Sequence, residues 1–199
     1  MQKQKKYEII YADPPWSYYN DLTCKKNPTT VPENGHRMPP YPMLSSKDIR
    51  SINVQNISEK NCFLFIWTTD YHLDKCLKVI EDWGFTYKTV AFSWQKFNKQ
   101  GNPVCFTGAY TLKSGIENCL LATKGNIKGW VQDKTVRALI QSQRTEHSQK
   151  PEEARKRIER LLGDRPRVEL FAREKHKGWD TIGNEIDGEN IFDIVGRRD

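Results

Sequence analysis

Apolar and polar positions alternate along this chain in a way that separates short strand-like runs from helical periodicities. Tyr7–Ala12 is an apolar run that must stop at Asp13-Pro14-Pro15-Trp16, because two consecutive prolines cannot continue a ladder. Ser17 to Leu44, rich in Asn, Pro, Thr and Lys, shows neither a helical nor a strand period and reads as a long functional loop. Ser45 and Ser46, with Asp48 at capping-box spacing, open a modest helix that runs toward Glu59. Phe63–Thr68 reads as a strand buried on both faces. Asp70 then caps a helix whose Leu73, Cys76, Leu77 and Ile80 fall at i, i+3, i+4 and i+7, with Gly84 as its stop. Strands follow over Thr86–Trp94 and Asn118–Thr123, separated by a polar, basic segment from Gln95 to Gly115. Asn126–Gln149 is a second polar stretch without a period. Pro151 suits the first position of a helix, Glu152 and Glu153 its electropositive first turn, and Gly163 its end. Arg167–Phe171 is the last clear strand. Strands alternating with helices predict one α/β sheet domain over residues 1–199, with 17–44 and 126–149 as long loops.

Composition narrows the function. The 199 residues carry 32 Lys+Arg against 25 Asp+Glu, a formal charge of +7, which favours a polyanionic partner. Phosphate contacts are expected in the basic segments that hold Lys25, Lys26 and Arg37, then Lys96 and Lys99, then Lys128, Lys134, Arg137 and Arg144. With 37% hydrophobic and 11% aromatic residues the chain can bury a core and is not disordered. The longest apolar run, Cys62–Trp67, is far short of the ~20 residues that a bilayer requires, so no membrane association is expected. Met1–Lys6 carries charge, but no apolar segment of a secretory signal follows, so the expected location is cytoplasmic. Five cysteines, odd in number and without C-x-x-C, read as reduced thiols, mostly in the core.

The tetrapeptide at the end of the first strand carries the most chemistry. Asp13 accepts hydrogen bonds, and each proline removes a backbone donor while keeping its carbonyl, so the turn is rich in acceptors and poor in donors. Such an edge suits a planar exocyclic amine: two acceptors orient its hydrogens and free the nitrogen lone pair for attack. Trp16 adds a ring on which a base can stack.

Tyr11-Ala12-Asp13-Pro14-Pro15-Trp16 resembles the signature of the MT-A family of adenine N6-methyltransferases. Further blocks resemble the family in family order: Phe63–Thr68, Trp83-Gly84-Phe85, Glu117–Asn126, His147–Glu152, Arg167–Arg173, and Gly178-Trp179 with Ile182–Glu185. The resemblance implies a single Rossmann-like class I methyltransferase domain with a mixed, mostly parallel sheet, S-adenosylmethionine as methyl donor, and a permuted order in which the catalytic motif precedes most of the cofactor pocket. The chain itself agrees: too few residues precede Asp13 for the ~30-residue unit that opens a dinucleotide fold, and neither G-x-G-x-x-G nor a Walker A motif occurs.

Carried over by position, the resemblance implies catalytic roles for Asp13, Pro14, Pro15 and Trp16. It implies a cofactor site of Ala12, Asp13, Lys150, Leu170, Phe171, Arg173, Asn184 and Glu185, the last two on the ribose hydroxyls, and substrate contacts at Trp16, Tyr41, Lys113 and Glu117. Lys150, preceding Pro151, is disfavoured from helical conformation and sits where the chain turns into the helix. Two departures stand out. Members acting on messenger RNA have more chain ahead of the first strand, so here the cofactor is either more exposed or covered by a partner. Thr111–Glu117 also differs from the block of DNA-acting relatives, with Lys113 in place of an arginine.

The implied reaction is a direct in-line methyl transfer to the adenine amine, most consistent with DNA as substrate, and duplex DNA would have to yield a flipped base. It needs no metal, so His36, His72, His147 and His176 have no ligand role to fill. The alternatives are an RNA adenine N6-methyltransferase, a non-catalytic nucleic-acid-binding subunit of a methyltransferase complex, and, more remotely, methylation of a protein amide. A module of this size has little surface left for reading a long site, so a short target or a partner subunit is expected, while monomer and homodimer both stay open.

Overall fold

The computed structural model describes residues 4–17, 43–107, 110–144, 149–188 and 190–198. Tyr41, Cys24, His147, Lys25, Lys26 and Arg37, and with them most of the expected 17–44 loop, lie outside the described residues.

In chain order the strands are β1 (Tyr7–Ala12), β2 (Ser58–Thr68), β3 (Thr86–Phe97), β4 (Cys105–Thr107), β5 (Leu112–Ser114), β6 (Ile116–Lys124), β7 (Leu139–Gln143), β8 (Arg167–Leu170) and β9 (Asp180–Ile182). The helices are α1 (Ser46–Ser51), α2 (Leu73–Asp82), α3 (Glu152–Leu162), α4 (Asn184–Asp187) and α5 (Ile191–Val195). Seven strands form one sheet in the order β7-β3-β6-β2-β1-β8-β9, and β4 and β5 form a separate hairpin. β6 runs antiparallel to both of its neighbours, and the other four pairings are parallel. The sheet is therefore mixed and mostly parallel, as the resemblance implied.

The alternation of β1 and β2 explains how one sheet serves two cores. Ile10, Ala12, Leu64 and Ile66 face the layer that contains α1, α2 and α5, while Ile9, Tyr11, Phe63, Phe65 and Trp67 face the layer built by Ala154, Ile158 and Leu162 of α3. Burial of each such aliphatic side chain contributes roughly 1.5–3 kcal/mol. In α2 the buried Cys76, Val79 and Ile80 continue into Trp83, whose indole N–H donates to the Ile49 carbonyl at 3.0 Å and ties the two helices together. The helix ends on a reversal at Gly84 (φ +82°), with Phe85 N–H donating to Ile80 C=O.

Several elements differ from the sequence expectation. The Ser45 cap on Asp48 N–H forms as predicted, but α1 stops at Ser51 because Ile52 turns extended and a 3₁₀ turn, Val54–Asn56, precedes β2. Asp70 does not cap α2; it begins a 3₁₀ turn, and Thr69 Oγ1 instead meets His72 Nδ1 at 2.9 Å. The supposedly aperiodic 126–149 stretch contributes β7, an edge strand with one buried residue, Ile140. β9 is only three residues long. Of the cysteines, Cys62, Cys76 and Cys119 are buried free thiols and Cys105 is exposed. No helix among the described residues is long and apolar enough to cross a membrane.

Candidate active site

The chain leaves β1 toward β2 on one side and places β8 on its other side, so β1 lies at the point where the strand order switches. Ligands of open α/β sheets bind in the crevice outside the carboxyl ends of strands at such a point. Asp13, Trp67, Lys96 and Phe171 all lie at or just past that edge, and Glu117 reaches it from the start of the antiparallel β6.

Asp13 follows β1 directly, with its backbone N–H 3.5 Å from the Leu170 carbonyl. Its carboxylate receives both bonds of Lys150 Nζ, at 2.7 Å on Oδ1 and 2.8 Å on Oδ2. Lys150 also reaches Glu117 Oε2 at 3.0 Å, and the other oxygen of Glu117 pairs with Lys96. Four side chains of alternating sign, Lys96, Glu117, Lys150 and Asp13, thus form one row at the sheet edge. The row is nearly closed to solvent, with Lys150 only 8% exposed. Burial alone would lower the Lys150 pKa, but the Asp13 and Glu117 carboxylates outweigh it and hold the ammonium above its ordinary range. Burial pushes Glu117 up and the two lysines pull it down, leaving it below its ordinary value.

The row stands on aromatic rings. Lys150 Nζ lies 5.7 Å from the Trp67 ring and Lys96 Nζ 4.7 Å from the Trp94 ring, and the two indoles pack edge to face at 6.4 Å. Trp67 donates to Tyr11 Oη at 2.7 Å and Trp94 to Ser142 Oγ at 2.8 Å.

The two prolines are partly engaged already. Pro14 C=O accepts from Trp16 N–H at 2.8 Å and Pro15 C=O from Leu44 N–H at 2.9 Å. A carbonyl has a second lone pair, so Pro14 keeps acceptor capacity beside Asp13, while Pro15 anchors the chain returning at Leu44. Trp16 differs from the sequence expectation of a stacking platform. The residue is 7% exposed, and its ring stacks on His72 at 5.6 Å and donates to the Trp67 carbonyl at 2.9 Å. His72 Nε2 in turn meets Ser17 C=O at 2.9 Å, and burial holds this imidazole below its ordinary pKa.

Beyond β8 the backbone turns sharply at Phe171, whose φ of 62° is costly for a residue with a side chain. A Cβ at Gly183 would lie 2.0 Å from the Ala172 carbonyl, so the backbones after β8 and β9 touch, and no larger residue fits. This contact brings Leu170, Phe171 and Arg173 beside the start of α4, where Asn184 is exposed and Glu185 follows. Ala12 is fully buried at the end of β1, between the partners Ile66 and Leu170. Lys113, by contrast, stands in the β4–β5 hairpin, 3.8 Å from Asp70 and 42% exposed, away from the row.

Sequence reasoning missed three charged residues. It placed Lys96 in a basic loop, whereas β3 continues to Phe97 and carries it into the row. It also passed over Arg155 and Glu169, which pair under the site, Nη1 lying 3.2 Å from each carboxylate oxygen. A carboxylate inside the apolar run Val168-Glu169-Leu170 was the available signal.

Comparison with known proteins shows the family of the chain. The MT-A70 family model matches residues 7–185. The chain is 36% identical over 196 residues to the type II methyltransferase M.MunI of Mycoplasma sp, covering 94% of this chain and 81% of that protein. It is 29% identical over 198 residues to the human N(6)-adenosine-methyltransferase catalytic subunit METTL3, covering 96% of this chain and 30% of METTL3, and 30% identical over 193 residues to a putative N(6)-adenosine-methyltransferase MT-A70-like protein of Medicago truncatula, of which it spans 28%. The chain therefore belongs to the MT-A70 family.

Proposed function

We propose that this protein transfers a methyl group from S-adenosylmethionine to the N6 amine of adenine in DNA. The observation that carries the reading is the pairing of Asp13 with Lys150 beside the Pro14 carbonyl, an acceptor edge held rigidly at the switch point of the sheet. Asp13 and the free lone pair of Pro14 C=O accept the two amine hydrogens, which draws the nitrogen lone pair out of conjugation with the ring. Lys150 keeps the carboxylate of Asp13 in one rotamer, so little reorganisation is needed when the amine arrives. Asp13 is also the acceptor at hand for the proton that the amine sheds.

The residues present fit the cofactor. The contact of Gly183 on Ala172 holds the start of α4 against the segment after β8, and the sequence at that start, Asn184-Glu185, offers the amide and carboxylate suited to adjacent ribose hydroxyls. Ala12, Asp13, Lys150, Leu170, Phe171, Arg173, Asn184 and Glu185 would hold it. When bound, S-adenosylmethionine supplies an electrophilic sulfonium methyl. Pro15 and Trp16 serve by fixing the turn through Leu44 and Trp67 rather than by touching the base. Glu117 and Lys113 remain the substrate-side candidates.

DNA is preferred over RNA because identity is higher to a type II methyltransferase than to N(6)-adenosine-methyltransferase subunits, and the +7 charge suits either polyanion. The intact Asp13–Lys150 pair argues against a non-catalytic subunit. The test is mass spectrometry of nucleosides from DNA and from RNA, each incubated with protein and labelled S-adenosylmethionine, beside Asp13→Ala. N6-methyldeoxyadenosine that falls by at least about 10²-fold in the variant is expected. N6-methyladenosine alone moves the substrate to RNA, and neither product removes the catalytic reading.

A further inference from the structure

We propose that Lys96 is a positioning residue for methyl transfer: from β3 it keeps Glu117 ionised and turned toward Lys150, and through these two it fixes the Asp13 carboxylate. The inference rests on the methyl-transfer reading above. In the β3–β6 register Trp94 stands opposite Glu117, and Lys96, two residues further along β3, shares the face of Trp94. The oxygens of Glu117 are divided, Oε2 to Lys150 at 3.0 Å and Oε1 to Lys96. Lys96 and Glu117 are only 16% and 14% exposed, so water cannot readily take over either contact.

The position of Lys96 is itself determined. Its ammonium lies over the Trp94 ring, which Ser142 of β7 holds by hydrogen bond and Trp67 holds by packing. Lys150 stands over that same Trp67. Two lysines on two packed indoles thus grip one carboxylate from both sides. Among the described residues, the charged groups next in line are Asp13, reached through Lys150, and Asp70, 3.5 Å from the amide of the neighbouring Asn118 and paired on its far side with Lys113 outside the row.

Without Lys96 the row holds two carboxylates and one ammonium. Burial then drives Glu117 to take a proton at higher pH, and Lys150 loses its second acceptor. The sign follows: activity that needs ionised Glu117 disappears as pH falls, and in the variant it disappears sooner.

The experiment compares pH profiles of kcat for the intact chain, Lys96→Met, Lys96→Arg, Glu117→Gln and the Lys96→Met/Glu117→Gln double variant, on DNA and on RNA. Lys96→Met is expected to lose about tenfold or more near pH 6, with its acid limb moved to higher pH and part of the loss recovered near pH 8.5. Lys96→Arg restores most of the rate, and Lys96→Met adds nothing once Glu117 is Gln. A loss equal at every pH, or equal in both backgrounds, or no loss at all, overturns the proposal. Thermal unfolding against pH gives a readout that needs no activity. Acid destabilisation of Lys96→Met should begin at higher pH only where Glu117 is present. Absence of that coupling sinks the role of Lys96 even if methylation is found, whereas coupling in a protein that methylates neither polymer removes the reading of function and leaves the ion pair.

Discussion

Two carboxylates largely shielded from water on the α3 side of the sheet behave in opposite ways. Glu117, at the start of β6, lies between two lysines and is held below its ordinary pKa even though burial pushes it up. Glu169, in the middle of β8, meets one guanidinium at 3.2 Å and is pushed up to about 7, chiefly by burial, against Arg155 and with help from the negative charge of Asp13. Their exposures are similar, 14% and 9% for the side chains, so depth does not separate them. The number of cations in contact with each carboxylate does, two for Glu117 and one for Glu169. At the acceptor edge Glu117 lies between Lys96 and Lys150, and it stays ionised. Beneath it one arginine serves Glu169 with Asp13 nearby, and that acid titrates near neutrality. His176, 3.7 Å from Glu169 Oε2, does not redress the balance, because burial and Arg155 lower its own pKa.

The sharpest way to break this contrast is to remove a cation from each group. Lys150→Met strips Asp13 and Glu117 of the one ammonium they share. It should destabilise the fold by about 3–5 kcal/mol in urea unfolding and abolish methyl transfer, because an uncompensated buried charge is left behind. Arg155→Met leaves a single acid that can protonate, so at pH 6 its cost should be distinctly smaller. Equal costs for the two variants would show that charge balance does not distinguish the row from the pair.

A smaller effect separates the two acids by pH. Glu169 has a folded pKa above its unfolded value, so its contribution is fully present below about 4.5 and is lost as pH climbs through about 7. Glu117 has the opposite sign: its contribution is present above the ordinary carboxylate pKa and is lost as pH falls through its lowered value. Glu169→Gln should therefore flatten the fall in stability between pH 4.5 and 7, which amounts to at most on the order of 3 kcal/mol. Urea midpoints measured across that window check it, and an unchanged slope would contradict a titrating Glu169.

What the sequence reveals and what it hides divide along the same line. Asp13 is legible because two prolines end β1 immediately after it, and Lys150 because Pro151 forces the chain to turn there. Each is defined by its immediate neighbours. Lys96 is not, since its pairing depends on β3 continuing three residues past Trp94 and on the antiparallel register that sets Trp94 against Glu117. A five-residue edge strand with one buried side chain, β7, supplies the Ser142 bond that steadies Trp94, and its sequence carries too little apolar pattern to announce a strand. Trp16 shows the converse limit: its chemistry suits base stacking, but a neighbour 56 positions along the chain, His72, occupies its face.

Lys113 provides the smallest effect and a control for the row. Unlike Lys96, it is close in sequence to Glu117, four residues before it, but it sits in the hairpin, 42% exposed and 3.8 Å from an Asp70 that is 56% exposed. Exposed pairs of that kind contribute roughly 0–1 kcal/mol, so Lys113→Ala should leave stability within about 0.5 kcal/mol of the parent. If Lys113 meets a phosphate, the variant should weaken nucleic-acid binding evenly across sequences and reduce the slope of log K against log salt by about 1. Fluorescence anisotropy over a salt series measures both quantities. An unchanged slope would remove Lys113 from the substrate contacts. A change in the pH profile would instead tie it to Glu117, and the boundary between the buried row and the solvated hairpin would have to be redrawn.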